Sequence, residues 1–559
     1  MEYVIFTVSI VLLMLAFAAK GAWDARKDKK HFIRHLKEDY GTIPQKEYKL
    51  ERYARIGGYY QMHEQEGQLD DITWSDLNMD EIFKRINFTF SASGEEYLYY
   101  TLRTPKMYRE EFAHLEEVIS YFAEHADQRV DVQLLTHRLG YTGNYSLYDY
   151  LNFLTALGKR SNLKHILFDL AYIPLIIFCF FNVSYGLMGI VLLMIYNITT
   201  YFREKKEIEP YLTSFSYVMR LLTISEKLVK TDTPICEDHW KVIRSHRAKL
   251  ERMKSFSSWG ISKAVMTGGS PLDILIDYVR MTFHVDLMMF NKMLAELNSH
   301  LEDIDIINGQ IGYIETAIAI GAFRKSLEQG YCLPEFTTEE GIYMREGYHP
   351  LIKEPVKNSI TTKRGVLLTG SNASGKSTFL KTVALEAVLA QTIHTCMAEV
   401  YKAQPFYIYS SMSLRDDLES GESYYMVEIK SLKRILDAAQ IHKSKVLCFV
   451  DEVLRGTNTV ERIAASTQVL KSLAGNNMCC FAATHDIELT SLLNDYYDNY
   501  HFEEEIRDGD IFFNYTLLDG KATTRNAIML LEIMGYSPSI IEQARQQAEH
   551  FVASGIWIS

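Results

Sequence analysis

The sequence predicts an α/β domain at the C-terminal end, preceded by an α-helical core or lever region that carries transmembrane helices. Three observations predict this fold class. A glycine-containing loop, SNASGKST, stands between an apolar strand, GVLLTG, and a helical stretch. Two later apolar runs, KVLCFVDE and MCCFAATHD, end in acidic and histidine side chains. Upstream, Asp169 to Arg203 encloses an uncharged run, roughly the length of two bilayer crossings with a turn between them.

The 559 residues leave room for roughly two to four domains. With 47% hydrophobic and 23% charged residues, low-complexity disorder is excluded over most of the chain. The net charge of -12 argues against a chain built as a whole to bind polyanions, although a local basic surface is compatible with it. The seven cysteines show no metal-ligand spacing and read as reduced thiols of a cytosolic compartment, with Cys479 and Cys480 in a buried strand.

The expected order is a transmembrane anchor at 1–22, a basic linker at 23–65, a helical core at 66–164, a transmembrane hairpin at 165–203, a second helical part at 204–335, the α/β domain at 340–535 and a closing segment at 536–559. The anchor is YVIFTVSIVLLMLAFAA, followed by Lys20, Arg26, Lys27, Lys29, Lys30 and Arg34. A cleaved signal peptide competes, but such a peptide carries its positive charge before the apolar run. Basic residues after the run place the chain that follows in the cytoplasm. The hairpin turns at Asn182–Gly186, and Pro174 lies in its first arm. Lys159, Arg160 and Lys164 precede it, and Arg203, Lys205 and Lys206 follow, so both ends face the cytoplasm. A helical hairpin buried in a soluble core is the competing reading. These features predict a multi-pass protein of the cytoplasmic (inner) membrane with its α/β domain in the cytoplasm. In the helical core, SASGEEYLYYTLRTP reads as a loop followed by a helix that stops before Pro105.

The chemistry lies in the α/β domain. Gly370-x-x-x-x-Gly375-Lys376-Ser377 has the spacing of a phosphate-binding loop. Backbone N–H groups from Gly370, Ser371, Asn372, Ala373, Ser374, Gly375, Lys376, Ser377 and Thr378 would wrap a phosphate at the positive end of a helix. Lys376 would reach the terminal phosphates, and the Ser377 hydroxyl would bind magnesium, so ATP and Mg2+ are the expected cofactors. Asp451 would hold the metal with Ser377, and Glu452 would orient or deprotonate the attacking water. A strand ending in two solvated acids is the bland reading of this pair. His485, after the third apolar run, would sense the γ-phosphate. Ser423 opens another helix after a Ser-Gly turn, a second ready-made phosphate site. One chain already has its phosphate loop, so Ser423 points to a site completed by another subunit, and hence to a homodimer.

In their order, TGSNASGKST, DDLESGESYYMVE, VDEVLRGTNT and ATHDIEL resemble the MutS family of ABC-type (P-loop) ATPases. YHPLI resembles the family's entry to its ATPase domain, EPVKNSI its adenine-contact segment, and LEIMGYSPSIIEQARQQAEHF its dimerising helix-turn-helix, here 536–559. DLNMDEIFKRINFTFSASGEEYLYYTLRTP resembles the start of its lever core. The resemblance implies phosphate contact by Asn372, adenine contact by Val356 and Asn358, and a signature role for Ser423 at the partner's γ-phosphate. It also implies that Asn458 and Thr459 lie near a subunit boundary and that His485 is a switch histidine. The chain departs from mismatch-repair members, whose mismatch-reading domain has a Phe-x-Glu wedge. Before about residue 66 an anchor and linker stand instead, and Phe122-Ala123-Glu124 lies in a helical stretch. No nuclease-like domain is expected after the ATPase, and Glu422 stands where the family often has a basic residue. The expected function is a membrane-anchored, dimeric MutS-like ATPase acting as an ATP-switched clamp on DNA, branched or single-stranded rather than mismatched duplex. The alternative is an ATP-driven membrane or protein-interaction switch that does not bind DNA. An ABC transporter subunit is a third possibility, against which the nearly nonpolar LAYIPLIIFCFFNV counts.

Overall fold

The structure, a computed structural model, describes residues 20–557 apart from 22, 25, 144, 254–277, 372–373, 413–423, 443, 456, 476, 508–509 and 523–526. The expected anchor at 1–22 lies almost wholly outside the described residues, and Asn372, Ala373, Glu422 and Ser423 lie outside them too. The chain divides into two compact units. The first comprises Met1–Glu64, Asn87–Tyr100 and His114–Lys325; the second comprises Gln65–Ile86, Thr101–Ala113 and Ser326–Ser559.

The first unit is helical. Its central helix, Leu301–Lys325, is buried on almost every face from Ile314 to Arg324. Close approach at glycine makes this possible: a Cβ on Gly312 would lie 2.5 Å from Tyr97 Cβ and 2.6 Å from the Ser93 carbonyl. The helix Ala92–Arg103 therefore begins earlier than SASGEEYLYY suggested, and takes in Gly94. A side chain there would collide with Glu315, whose buried carboxylate accepts the Phe90 N–H at 2.8 Å and the Ser91 hydroxyl. Phe122 is fully buried in the helix Ala113–Glu124, which leaves it unable to act as a wedge.

The hairpin differs from expectation in two ways. Its first arm is two short helices, Leu163–Leu170 and Tyr172–Cys179, broken at Ala171. Pro174 causes the break, since its ring clashes with the carbonyl four residues back and it offers no N–H. The turn also comes earlier: Asn182 already caps the next helix by accepting the Tyr185 N–H, and Val183–Gly186 is helical. That helix, Val183–Leu228, runs for 46 residues and passes through Pro210. The arms meet at glycines, where a Cβ on Gly186 would lie 2.5 Å from Cys179 Sγ and one on Gly189 2.8 Å from Leu175 Cδ2. Among the described residues, one helical segment, Val183–Glu209, is long and apolar enough to cross a membrane. Its most apolar stretch is only 11% buried, so packing within this chain does not explain its composition, as a soluble core hairpin would require. Phe180 and Phe181, at the tip, are more than four-fifths exposed.

The second unit holds three sheets among its described residues. The strands are β1 (Glu335–Phe336), β2 (Ile342–Gly347), β3 (Asn358–Thr362), β4 (Gly365–Thr369), β5 (Val400–Ala403), β6 (Tyr407–Ser411), β7 (Val446–Asp451), β8 (Met478–Ala483), β9 (Tyr497–His501), β10 (Glu504–Arg507), β11 (Asp510–Phe513) and β12 (Leu518–Asp519). A four-stranded sheet runs β1-β5-β2-β3, and a six-stranded sheet runs β12-β9-β4-β8-β7-β6; β10 and β11 form a separate antiparallel hairpin. Strands β9, β4, β8, β7 and β6 are parallel, with Leu367 opposite Ala482 and Cys448 opposite Cys480. All residues of β4 and β8 are buried, as are those of β7 up to Val450, which is why they read as unbroken apolar runs. Edge strand β6 is covered by the helix Asp71–Asp76: Asp76 accepts the Ser410 hydroxyl at 2.7 Å and the Met412 N–H at 2.8 Å. All seven cysteines are free thiols.

Candidate nucleotide site

In a parallel sheet the functional side chains gather beyond the carboxyl ends of the strands. Three neighbours, β4, β8 and β7, deliver the expected residues there. After β4, Gly370 adopts φ 143°, and a Cβ would lie 2.5 Å from the Phe502 carbonyl. Gly375 adopts φ 111° and caps the helix Lys376–Ile393. The loop between them is held by Ser374 Oγ donating to the Ser371 carbonyl at 2.9 Å and by Ser371 Oγ donating to Glu504 at 2.8 Å. Lys376 Nζ folds back and donates to the carbonyls of Gly370 at 2.8 Å and Ser371 at 2.6 Å. Burial lowers the affinity of this lysine for its proton, while Asp451, Glu452 and Glu504 oppose that shift.

Asp451 ends β7, and the Ser377 hydroxyl hydrogen-bonds to it. Burial raises the Asp451 carboxyl, and the neighbouring Glu452 adds to the shift; Ser377 and Lys376 pull it back. A hydroxyl and a carboxylate are hard oxygen donors, and magnesium is commonly held by one or two carboxylates together with substrate phosphates. The donor set fits Mg2+.

Glu452 follows in a left-handed conformation, φ 56°, with its N–H bonded to the Ala483 carbonyl at 3.0 Å. Its Oε1 lies 2.9 Å from His485 Nε2 and its Oε2 lies 2.8 Å from Arg455. The hydrogen bond from His485 holds the carboxyl below its ordinary range, against the opposing effect of burial. His485 itself lies two residues beyond the end of β8.

A cavity of about 580 Å³ opens beside Lys376, Ser377 and Glu452. Ser371, Gly375, Lys376, Ser377, Thr378 and Glu452 form its polar side. Ile352, Val356, Phe502 and Tyr515 face them, with His349, whose ring is pushed down to about pKa 4 by burial and by Lys381. Asn358 also lines the cavity, but its amide is engaged: Nδ2 donates to the Tyr515 carbonyl at 3.0 Å and Oδ1 accepts the Leu517 N–H at 2.8 Å. It holds Tyr515, itself at φ 53°.

Residues 366–552 match the family model of MutS domain V. MutS domain V is the ATPase domain of the MutS family, so this segment is related to MutS-family ATPases, for which ATP with Mg2+ is the usual pair. The match begins inside β4 and ends in the last helix, Pro538–Ser554, and so takes in the phosphate loop, Asp451, Glu452 and His485 of the MutS-type domain.

Within that domain Asn458 caps the helix Thr459–Leu473 by accepting the Glu461 N–H at 3.0 Å, a local structural task. Ser423 precedes the helix Tyr424–Ile441 in sequence. Arg455, Glu504, Phe502 and Tyr515 were not anticipated from the sequence. None stands in a spacing that signals phosphate chemistry, and the β10–β11 hairpin and the loop after it bring in Glu504 and Tyr515 only through tertiary structure.

Proposed function

We propose that the chain is a membrane-tied, dimeric MutS-type ATPase whose hydrolysis cycle switches its helical unit. The observation that carries this reading is the convergence of Lys376, the Ser377–Asp451 pair and the Glu452–His485 pair beyond three adjacent parallel strands, with Lys376, Ser377 and Glu452 lining one cavity. Lys376 exchanges its loop carbonyls for the β- and γ-phosphates of ATP. Ser377 and Asp451 hold magnesium, which supplies charge neutralisation on the phosphates when bound. Glu452, kept ionised by His485, orients the attacking water and accepts its proton as the bond to the γ-phosphorus forms and ADP leaves. His485 reports the state of that carboxylate. Ser423 of a second copy completes the site.

Attachment to the cytoplasmic membrane is supported by the exposed apolar hairpin and by the cations at its base, where Lys164 meets Glu204 at 3.0 Å and Arg160 meets Glu207 at 3.3 Å. An amino-terminal anchor would add a further crossing.

A DNA clamp is the second reading, favoured by the MutS match. The cations of the helix Glu237–Lys249 give it little help: Lys241 pairs with Asp238, Arg244 with Glu237, Arg247 with Glu226 and Lys249 with Asp303. The switch without DNA is therefore the reading we prefer. The deciding experiment measures ATP turnover of the detergent-solubilised chain and its salt-dependent binding to duplex, forked and single-stranded DNA. Absence of Lys376-dependent ATP hydrolysis overturns the ATPase reading. Salt-sensitive binding to forked or single-stranded DNA selects the clamp.

A further inference from the structure

Glu428 lies in the second turn of the helix Tyr424–Ile441 and is 3% exposed. One carboxylate oxygen, Oε1, accepts the backbone N–H of Leu454, and the N–H of Arg455 bonds to the same side chain. The other oxygen, Oε2, is buried and has no hydrogen-bond partner. A buried carboxylate with an unused oxygen is costly, and an apolar residue would fill the space at less expense. The geometry of the loop it grips supplies a reason for it.

That loop, Glu452 to Arg455, has two non-glycine residues in the left-handed region, Glu452 at φ 56° and Leu454 at φ 57°. Such backbone persists only where its surroundings over-determine it. Three groups hold it: the Ala483 carbonyl takes the Glu452 N–H at 3.0 Å, Ser466 Oγ donates to the Val453 carbonyl at 3.1 Å, and Glu428 takes the N–H groups of Leu454 and Arg455. Glu428 is the member of this set that comes from the helix Tyr424–Ile441. Burial raises its carboxyl, the two backbone N–H groups lower it, and Glu452 raises it further.

We propose that Glu428 is a positioning residue for hydrolysis: by binding the Leu454 and Arg455 N–H groups it keeps Glu452 in its left-handed conformation, facing His485 and the phosphate loop. This inference rests on the reading of Glu452 as the carboxylate that orients water. It also makes the helix Tyr424–Ile441 a direct mechanical neighbour of that carboxylate, so a shift of the helix changes hydrolysis without touching the phosphate loop.

The test compares the full chain with Glu428→Ala, Glu428→Gln and Glu428→Asp. It measures kcat, KM, affinity for a non-hydrolysable ATP analogue and hydrogen exchange at the Leu454 and Arg455 amides. Glu428→Ala lowers kcat roughly ten- to a hundredfold, leaves KM and analogue affinity within about threefold, and speeds exchange at both amides. Glu428→Gln keeps a carbonyl acceptor and stays near wild type in all four. Glu428→Asp, with its acceptor drawn back by one methylene, falls between them and serves if the alanine variant does not fold. Wild-type kcat in Glu428→Ala or Glu428→Asp overturns the proposal, as does a loss in Glu428→Gln equal to that in Glu428→Ala. A wild-type chain that binds ATP without hydrolysing it refutes the ATPase reading separately. In that event amide exchange still decides whether Glu428 holds the loop, and unchanged protection in Glu428→Ala counts against it.

Discussion

His485 Nε2 stands 2.9 Å from Glu452 Oε1, while Arg455 occupies the other carboxylate oxygen at 2.8 Å. Each oxygen of the proposed water-orienting group thus has one partner, and each keeps a further acceptor site for water. Glu452→Gln keeps the shape but loses the charge. It is expected to bind ATP normally and to hydrolyse it roughly a hundredfold or more slowly. Single-turnover hydrolysis beside equilibrium binding checks this, and normal hydrolysis would assign the base to another residue.

Asn358 holds Tyr515, whose carbonyl it binds at 3.0 Å, at the wall of the proposed nucleotide cavity. Asn358→Ala frees the Tyr515–Leu517 segment and is expected to weaken ATP affinity by roughly fivefold, the worth of one such hydrogen bond, with kcat unchanged. Titration with a fluorescent ATP analogue gives the number. A selective loss of kcat would place Asn358 nearer the reacting phosphate.

Shared sites are tested by mixing chains. Lys376→Ala and Ser423→Arg should each be inactive alone. In a heterodimer both lesions fall on one composite site and the other stays intact, so the mixture recovers part of the ATPase activity. No recovery in proven heterodimers would argue for separate, unshared sites.

The hairpin makes a topological prediction. A cysteine placed at Ser184, beside the exposed Phe180–Phe181 tip, should label from outside the cell, and one at Lys205 only from inside. Release of the protein by carbonate without detergent would defeat the membrane assignment.

Asp303 links two helices of the first unit. It accepts from His246 at 2.6 Å, Lys249 at 2.8 Å and His300 at 2.8 Å. Burial alone would raise its carboxyl, but hydrogen bonds from Lys249, His300 and His246 outweigh that and hold it well below the usual range. A lowered folded-state value means that the stabilisation is complete above the unfolded value of about 4 and is lost as pH falls through the folded one. Asp303→Asn should therefore cost roughly 1–3 kcal/mol at pH 7, and the gap to wild type should narrow in strong acid. Urea melts at both pH values test this; a gap that widened in acid would contradict it.

The parts of the molecule legible in the sequence are those where local pattern and tertiary role coincide. Strands β4, β7 and β8 are buried on both faces, so burial imposes an apolar run whichever way each side chain points. Gly370 and Gly375 were legible because the loop needs positive φ at both. Other features depend on a distant partner. The helix start at Ala92 passed for a loop because Gly94 answers to Glu315, more than two hundred residues away. The small sheet of β1, β5, β2 and β3 joins segments too short to show a period. The family resemblance implied adenine contact by Asn358, which lines the cavity; its engagement with the Tyr515–Leu517 backbone was not legible, since nothing near it in sequence specifies that partner.

The long helix Val183–Leu228 has a further consequence. At about 1.5 Å per residue it is a rod of roughly 70 Å. Pro210 has no N–H to offer the Lys206 carbonyl, so one rung of the hydrogen-bond ladder is missing just beyond Glu209, where the apolar span ends. Bending stiffness is lowest where a rung is absent. Torque applied near Leu228 would therefore be taken up as flexure beside Pro210, leaving the orientation of the apolar segment Val183–Glu209 less disturbed than that of the length beyond it.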